Sequence, residues 1–454
     1  MTTASAGGLV SRTASLYISR VSRYITSPLK ALLSTRNSSF SSSFSPSDMA
    51  NSPSPFPGWL QKAERADYLA DVYQVLYERE AKRRDARQTS IHTTHSSTAH
   101  RIIHKPATVF KNTDLANHYS MSHGSLPPNQ PSNRYRDVTP YDRTRVVVGH
   151  YGSEPAGRYL NASWVRELAG KKWWIATQAP LPGTVHAFLS LILQPVVRPL
   201  EQTPGVPESA GPISRIRTVV QLTRVRESGS LKAHFYFPQT PGESWISDPE
   251  PGCSAPPLKV TLIDTKVIDK AGCVHSIVSI QPVDMHGQPI QETGDPVVFN
   301  HLFFEGWPDH DVPEDPEALL HFVHLVDQVN RDTSSQSPDT EGRLDPDPPI
   351  MVGCSAGIGR TGTFIALASI LRAHRFLPTS ASLVHDSDAE VPELSPSPLG
   401  DLPDEFKDDM VAQEVDALRE QRPGMVQKST QMKLIYEALV GLLSSGDVLP
   451  SSQG

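Results

Sequence analysis

Between residues 58 and 86, apolar side chains recur at helical spacing: Trp59, Leu60, Tyr68, Leu69, Val72, Tyr73, Val75, Leu76 and Tyr77, with charged residues between them. Such a stripe predicts an amphipathic helical region. Short β-branched or aromatic runs follow at Arg145–Val148, Trp173–Ala176, Thr218–Leu222, His234–Phe237, Lys259–Ile263, Ser276–Gln281 and Val297–Phe304. Each is bounded by turn residues and predicts a strand. Asp315–Val329 predicts an amphipathic helix, Ile350–Val352 a short buried strand, Phe364–His374 a buried helix and Lys433–Leu443 a terminal helix. Strands mixed with helices imply an α/β or α+β domain from about 56 to 446.

Four stretches break the pattern. Residues 87–130 are polar and rich in Ser, Thr, His and Pro, so they read as a linker or long loop. Residues 197–213 and 331–349 combine Pro, Ser and acidic residues, and 378–410 is longer and strongly acidic; these read as surface insertions. Residues 1–55 read as a disordered Ser/Arg-rich segment and 447–454 as a tail. The first 47 residues hold five basic residues and no acid, with apolar residues near helical spacing, the composition of a mitochondrial transit peptide. Met49 offers a second start. Ser337-Pro338, Ser395-Pro396 and Ser397-Pro398 match proline-directed kinase sites.

The net charge of −7 argues against a general nucleic-acid binder. Three cysteines (Cys253, Cys273 and Cys354) are too few and too odd in number for a disulfide framework. They point to a reducing compartment, the cytoplasm, with mitochondrial import as the alternative. No apolar run approaches the ~18 residues of a membrane span.

The most informative segment is Cys354-Ser355-Ala356-Gly357-Ile358-Gly359-Arg360-Thr361-Gly362, set between an apolar strand and an apolar helix. A loop with two glycines can turn its N–H groups inward as an anion cradle. The helix that follows points its positive end at the same place. A Cys held there is stabilised as a thiolate, with its pKa lowered. Arg360 can bind two phosphate oxygens at once.

This segment resembles the signature loop of the phosphotyrosine-specific, cysteine-based protein tyrosine phosphatases, of the non-receptor type, and the resemblance extends over most of the chain. It implies one large α/β domain with a highly twisted mixed sheet flanked by helices. The Cys loop would lie between a central strand and a helix N-terminus. Trp307-Pro308-Asp309 resembles the mobile acid loop, with Asp309 as general acid and then base. Asn133-Arg134-Tyr135-Arg136-Asp137 resembles the phosphotyrosine-recognition loop. There Tyr135 would line a deep slot, and Asp137 would accept from the substrate backbone. Gln421-Arg422-Pro423-Gly424-Met425-Val426-Gln427 resembles the glutamine loop. Gln427 would position the hydrolytic water and Gln431 would share that task. Glu227 resembles the carboxylate that holds the catalytic Arg, and the Thr361 hydroxyl would bond the thiolate. Ser355, Ala356, Gly357, Ile358 and Gly359 would contribute the N–H groups that bind phosphate. Asn161 and Ala162, with Thr177-Gln178-Ala179-Pro180, match motifs read as structural.

The resemblance implies hydrolysis of phosphotyrosine in proteins by a monomer that needs no cofactor and no metal. Gly353 departs from it by standing where the family has His, and Asp311, Ala179 and Ala233 replace a Gly, a Gly and a Cys. None of these removes the nucleophile, the Arg or the acid. Gly353 and Asp311 motivate the alternative of a phosphotyrosine-binding pseudophosphatase.

Overall fold

The computed structural model describes residues 56–95, 107–149, 157–194, 215–290, 295–309, 311–334, 345–381 and 396–445. Among these residues the strands are β1 (Arg145–Val148), β2 (Arg158–Arg166), β3 (Trp173–Gln178), β4 (Thr218–Gln221), β5 (Arg226–Glu227), β6 (Ser230–Leu231), β7 (Ser244–Ser247), β8 (Leu258–Ile268), β9 (Cys273–Pro282), β10 (Val297–Phe304) and β11 (Ile350–Cys354). β5 and β6 form a separate hairpin, and the other nine share one sheet in the order β1-β2-β3-β11-β4-β10-β9-β8-β7. Its centre, β3, β11, β4 and β10, is parallel, and the flanking pairs are antiparallel.

Helices cover both faces. They are α1 (Gly58–Lys62), α2 (Ala66–His95), α3 (Ala107–His118), α4 (Val185–Leu193), α5 (Pro316–Arg331), α6 (Gly359–Ala373), α7 (Met410–Gln421) and α8 (Ser429–Ser445). The β11 sequence Ile-Met-Val-Gly-Cys is buried throughout. Ile350 and Val352 pack with residues of α5 to α8, while Met351 packs with α4. A strand covered on both sides needs apolar residues at successive positions, which is why so short a run sits at the centre. α6 is buried from Gly359 to Arg372, as its apolar composition demands. Asp315 caps α5 by accepting from the Glu317 and Ala318 N–H groups (2.9 and 3.0 Å), with Pro316 at the first helical position. No helix among the described residues is long and apolar enough to cross a membrane.

The parallel centre decides where chemistry can happen. Ligands of such sheets bind beyond the carboxyl ends of the strands. The segments leaving β3, β4, β10 and β11 at that edge carry Ala179, Glu227, Asp309 and the Cys354 loop.

Several expectations need correction. The predicted helical region at 58–86 is two helices, and the second runs on to His95. The stretch read as a linker from 87 therefore begins as helix, is helical again over Ala107–His118, and buries Tyr119 and Met121. Its polarity misled because α2 buries Arg87 and Ser90 there rather than aliphatic residues, with Arg87 donating to Glu80 (2.9 Å) and the Tyr141 hydroxyl (3.2 Å). Arg79, Arg83 and Arg87 are all buried, and α7 supplies carboxylates to the first two. His234–Phe237 is not a strand; Tyr236 and Phe237 instead pack as rings against Phe188 and His301. Part of the acidic stretch is docked as well. Leu402 and Phe406 are buried, and Asp409 caps α7 while accepting from the Tyr68 and Tyr436 hydroxyls (2.9 and 2.8 Å). Residues 1–55, 195–214, 335–344, 382–395 and 446–454, and with them the stretch read as a transit peptide, Ser337 and Ser395, lie outside the described residues.

Arg83 is fully buried and bonds Glu420 Oε1 through Nε (2.8 Å) and Nη2 (2.6 Å), and Asp416 Oδ1 through Nη2 (2.7 Å). Arg83→Ala strands buried carboxylate and is expected to cost about 3–5 kcal/mol. Arg84→Ala, at an exposed position one residue on, should stay within about 0.5 kcal/mol. Urea denaturation measures both, and equal midpoints for the two variants would refute this account of the α2–α7 junction.

Candidate active site

β11 ends at Cys354 and α6 begins at Gly359, so residues 354–358 turn the chain from strand to helix. Their first four carbonyl oxygens are all bonded elsewhere. The Ala179 N–H donates to Cys354 O (2.9 Å) and Ser355 O (3.2 Å). Arg422 donates from Nη2 to Ala356 O (3.1 Å) and from Nε to Gly357 O (2.7 Å). In a trans peptide unit the carbonyl and the next N–H point opposite ways. The N–H groups of residues 355–358 are therefore turned towards the other side of the loop, and that of Gly357 lies 3.3 Å from Cys354 Sγ. Gly357 has φ of 71°, and a Cβ there would sit 2.3 Å from Thr177 O, so the position requires glycine.

Cys354 is buried, which alone would push its thiol up. The Arg360 guanidinium, the Thr361 hydroxyl and the Thr361 and Ile358 N–H groups oppose this, and the net direction is down. Thr361 Oγ1 is buried and committed to no other partner among the described residues, so its hydroxyl dipole is free to turn towards the sulfur and lower the thiol. Cys273 shows the contrast: burial without such partners pushes it up to about 12.

Arg360 is clamped from behind. Nη1 donates to Glu227 Oε1 (2.7 Å) and Trp307 O (2.8 Å), and Nη2 to Glu227 Oε2 (2.9 Å). Glu227 Oε1 is fixed in turn by the Thr223 hydroxyl (3.0 Å) and the Arg224 N–H (3.1 Å). Asp309 Oδ1 lies 3.3 Å from Arg360 Nη2, and its Oδ2 pairs with Lys232 Nζ at 2.5 Å. The Trp307 indole N–H donates to Asp311 O (2.8 Å), which closes the acid loop on itself.

Tyr135, Asp137, Val138, Lys232, Asp309, Cys354, Ser355, Ala356, Ile358, Gly359, Arg360, Gln427 and Gln431 line one cleft of about 230 Å³. The Tyr135 hydroxyl lies 2.9 Å from Ser355 Oγ, which donates to Lys232 O (2.8 Å). A Cβ on Gly359 would lie 3.3 Å from Gln427 Oε1 and 3.2 Å from Gln431 Nε2, so both amides stand over the first turn of α6. Val426, just before Gln427, has φ of 55°, a costly conformation for a β-branched residue. It is held by its N–H to Ile358 O (3.2 Å) and by Arg419 Nη2 to its carbonyl (2.8 Å). Of the residues singled out in sequence, Glu227, Trp307, Thr361 and Gly357 support the cleft rather than line it.

A family profile described as "Protein-tyrosine phosphatase" matches residues 129–200 and 213–376, more than half of the chain. The chain belongs to the protein tyrosine phosphatase family. Its relatives include the Lar-like tyrosine-protein phosphatase of Caenorhabditis elegans, 27% identical over 347 residues (76% of this chain, 12% of the relative). The phosphatidylinositol phosphatase PTPRQ of Rattus norvegicus is 33% identical over 250 residues (55% and 8%). The human tyrosine-protein phosphatase non-receptor type 14 is 27% identical over 332 residues (72% and 22%). The chain thus spans less than a quarter of the length of each.

The departures from the family pattern have local explanations. A Cβ on Gly353 would lie 2.7 Å from Thr177 O, so any larger residue must move the β3 backbone. The Asp311 carboxylate accepts from the Val312 N–H (2.9 Å) and stiffens the acid loop. Ala233 is buried beside Gly353 and Cys354 in the wall of a small cavity behind the loop. Ala179 still supplies the N–H that holds two carbonyls of the Cys loop.

Arg422 was named in sequence only inside the glutamine-loop string, and Lys232, five residues after Glu227, was given no role. The available signal was a basic residue within a string already tied to the site. Asn161, read as structural, links two loops. Its Oδ1 accepts from Arg422 Nη2 (2.9 Å), while its Nδ2 donates to Asn133 Oδ1 (2.8 Å) and Val138 O (2.7 Å).

Thr361→Val removes one hydroxyl and little volume, so the Cys354 thiolate loses a donor and its pKa rises. The pH midpoint of iodoacetate alkylation at Cys354 should move upward in this variant. An unmoved midpoint would mean that the hydroxyl does not reach the sulfur.

Proposed function

We propose that the chain hydrolyses phosphotyrosine in proteins, without a metal, through a phosphocysteine on Cys354. The observation that carries this reading is the ring of N–H groups around a buried sulfur whose pKa is drawn down beside Arg360. The thiolate attacks phosphorus, and Asp309 protonates the departing phenolic oxygen. The N–H groups of Ser355 to Arg360 and the Arg360 guanidinium hold the non-bridging oxygens throughout. Arg360 enters this role already oriented by Glu227 and Trp307 O. A water held by the Gln427 and Gln431 amides, losing its proton to Asp309, then releases phosphate and frees the sulfur.

Tyr135 sets the substrate class. Its ring stacks on an aryl group, and the depth of the slot keeps shorter phosphoserine and phosphothreonine from the sulfur. Lys232 keeps the Asp309 carboxylate over the cleft between turnovers, and that partner holds the Lys232 ammonium above its ordinary value. The sparse cysteines support a reducing compartment, and the cytoplasm is the proposed location.

Hydrolysis of a phosphotyrosine peptide in chelator and reductant should be abolished in Cys354→Ser while the peptide still binds. Asp309→Asn should lower kcat about 10²–10⁴-fold with the peptide, and less with an aryl phosphate whose phenol leaves easily. Binding without turnover by the natural chain would establish the pseudophosphatase alternative. Faster hydrolysis of a phosphoinositide than of the peptide would overturn the substrate class.

A further inference from the structure

A second charged cluster, at the junction of α2, α7 and residues 396–402, takes no part in this chemistry. Ser397 is half-buried there between exposed Pro396 and Pro398, in a segment that is neither helix nor strand over 396–403. Its Oγ donates to Glu420 Oε1 (2.8 Å) and accepts from the Leu399 N–H (3.2 Å) and from Arg79 Nη2 (3.4 Å). Arg79 also bonds both Asp416 oxygens and the carbonyls of Leu399, Gly400 and Asp401. Glu420 also accepts from Arg83 and from the Tyr119 hydroxyl. Burial would raise the Glu420 carboxyl, but His118, Arg83 and Ser397 hold it down at about 2, so it is charged at neutral pH.

We propose that Ser397 is a phosphorylation site for a proline-directed serine/threonine kinase, and that the phosphate unlocks the α2–α7 junction. The segment is suited to the modification: irregular backbone with exposed flanks opens locally far more cheaply than helix or sheet. In the transfer, Ser397 Oγ bonds to the γ-phosphorus of ATP and the bond to the β–γ bridging oxygen breaks. ADP leaves, and the hydroxyl proton passes to the kinase. The product has lost the hydrogen that Glu420 accepted. In its place stands a charge of about −1.5 to −2, attached to an oxygen that lay 2.8 Å from the Glu420 carboxylate. Arg79 attracts the phosphate, but its donors are already committed to Asp416 and to the segment's own carbonyls. Repulsion from Glu420 therefore lifts residues 397–401 off α7 and takes those carbonyls from Arg79.

The effect has a short path to the Cys loop. Glu420 is followed by Gln421, which bonds the Arg166 N–H (2.6 Å) and Arg166 O (2.9 Å), and then by Arg422, which holds the Ala356 and Gly357 carbonyls. A loosened α7 terminus should reach the active site as a lower kcat.

The test uses the full chain, a cyclin-dependent kinase and ATP. Phosphopeptide mapping should find phosphate on Ser397, and the modified chain should lose at least about 2 °C in Tm. Kinase-treated Ser397→Ala should show no such loss, and Ser397→Asp should melt below Ser397→Ala. In Glu420→Gln the kinase-induced shift should shrink, because the opposing charge is gone. Label confined to Ser337 or Ser395, or phosphate on Ser397 with Tm unchanged, would overturn the proposal. Mapping and melting need no turnover, so an inactive chain would sink the catalytic reading and leave this test intact.

Discussion

Four carbonyl oxygens that face away from the Cys354 sulfur are the constraint on which the active site depends. A loop between strand and helix has no regular hydrogen-bond pattern of its own, and each buried carbonyl must find a donor or lose solvation. Here one N–H, that of Ala179, and one guanidinium, that of Arg422, take all four. Once the carbonyls are fixed outward, the N–H groups have one direction left. The anion cradle is the other side of an interaction made with β3 and with the segment after α7. Both glycines whose Cβ would strike Thr177, Gly353 and Gly357, are there because β3 must come this close to supply the Ala179 donor.

The same economy governs the acid loop. Arg360 carries one guanidinium and serves three partners: Glu227 behind it, the Trp307 carbonyl, and Asp309. Trp307 is also the end of a run of packed rings. Trp174, Phe364, Phe322, Phe304 and Trp307 follow one another with centroids 5.9, 5.6, 5.0 and 6.4 Å apart. The run passes from β3 through α6 and α5 to β10 and the acid loop. The indole is thus fixed in the core at one end while its carbonyl addresses Arg360. Asp309, two residues on, faces the same guanidinium and the Lys232 ammonium.

What was legible in the sequence followed from locality. The Cys354 loop is nine consecutive residues, and its chemistry follows from their order. The central strands were legible because burial on both faces forces runs such as Ile350–Val352. What escaped needs long-range pairing. Arg79 and Arg83 on α2 meet carboxylates more than 300 residues away on α7, a pairing that no local pattern announces. Arg422 was hidden for the same reason: its four acceptors lie on the Cys354 loop and on β2. His234–Phe237 failed in the opposite sense, since aromatic residues can reach the core from irregular backbone as well as from a strand.

The glycine at 353 is best judged by how the thiolate is held. Its stabilisation is spread over the Arg360 charge, the Thr361 hydroxyl and several backbone N–H groups. Contributions of this kind are partly redundant, because each donor that remains polarises further towards the charge when one is lost. Removing a neighbour that supported the loop from β11 therefore weakens the thiolate by degree. Removing Arg422 would act differently: it holds the Ala356 and Gly357 carbonyls together, and freeing both lets the cradle itself turn. By this argument the residue that most needs to stay is an arginine that does not line the cleft.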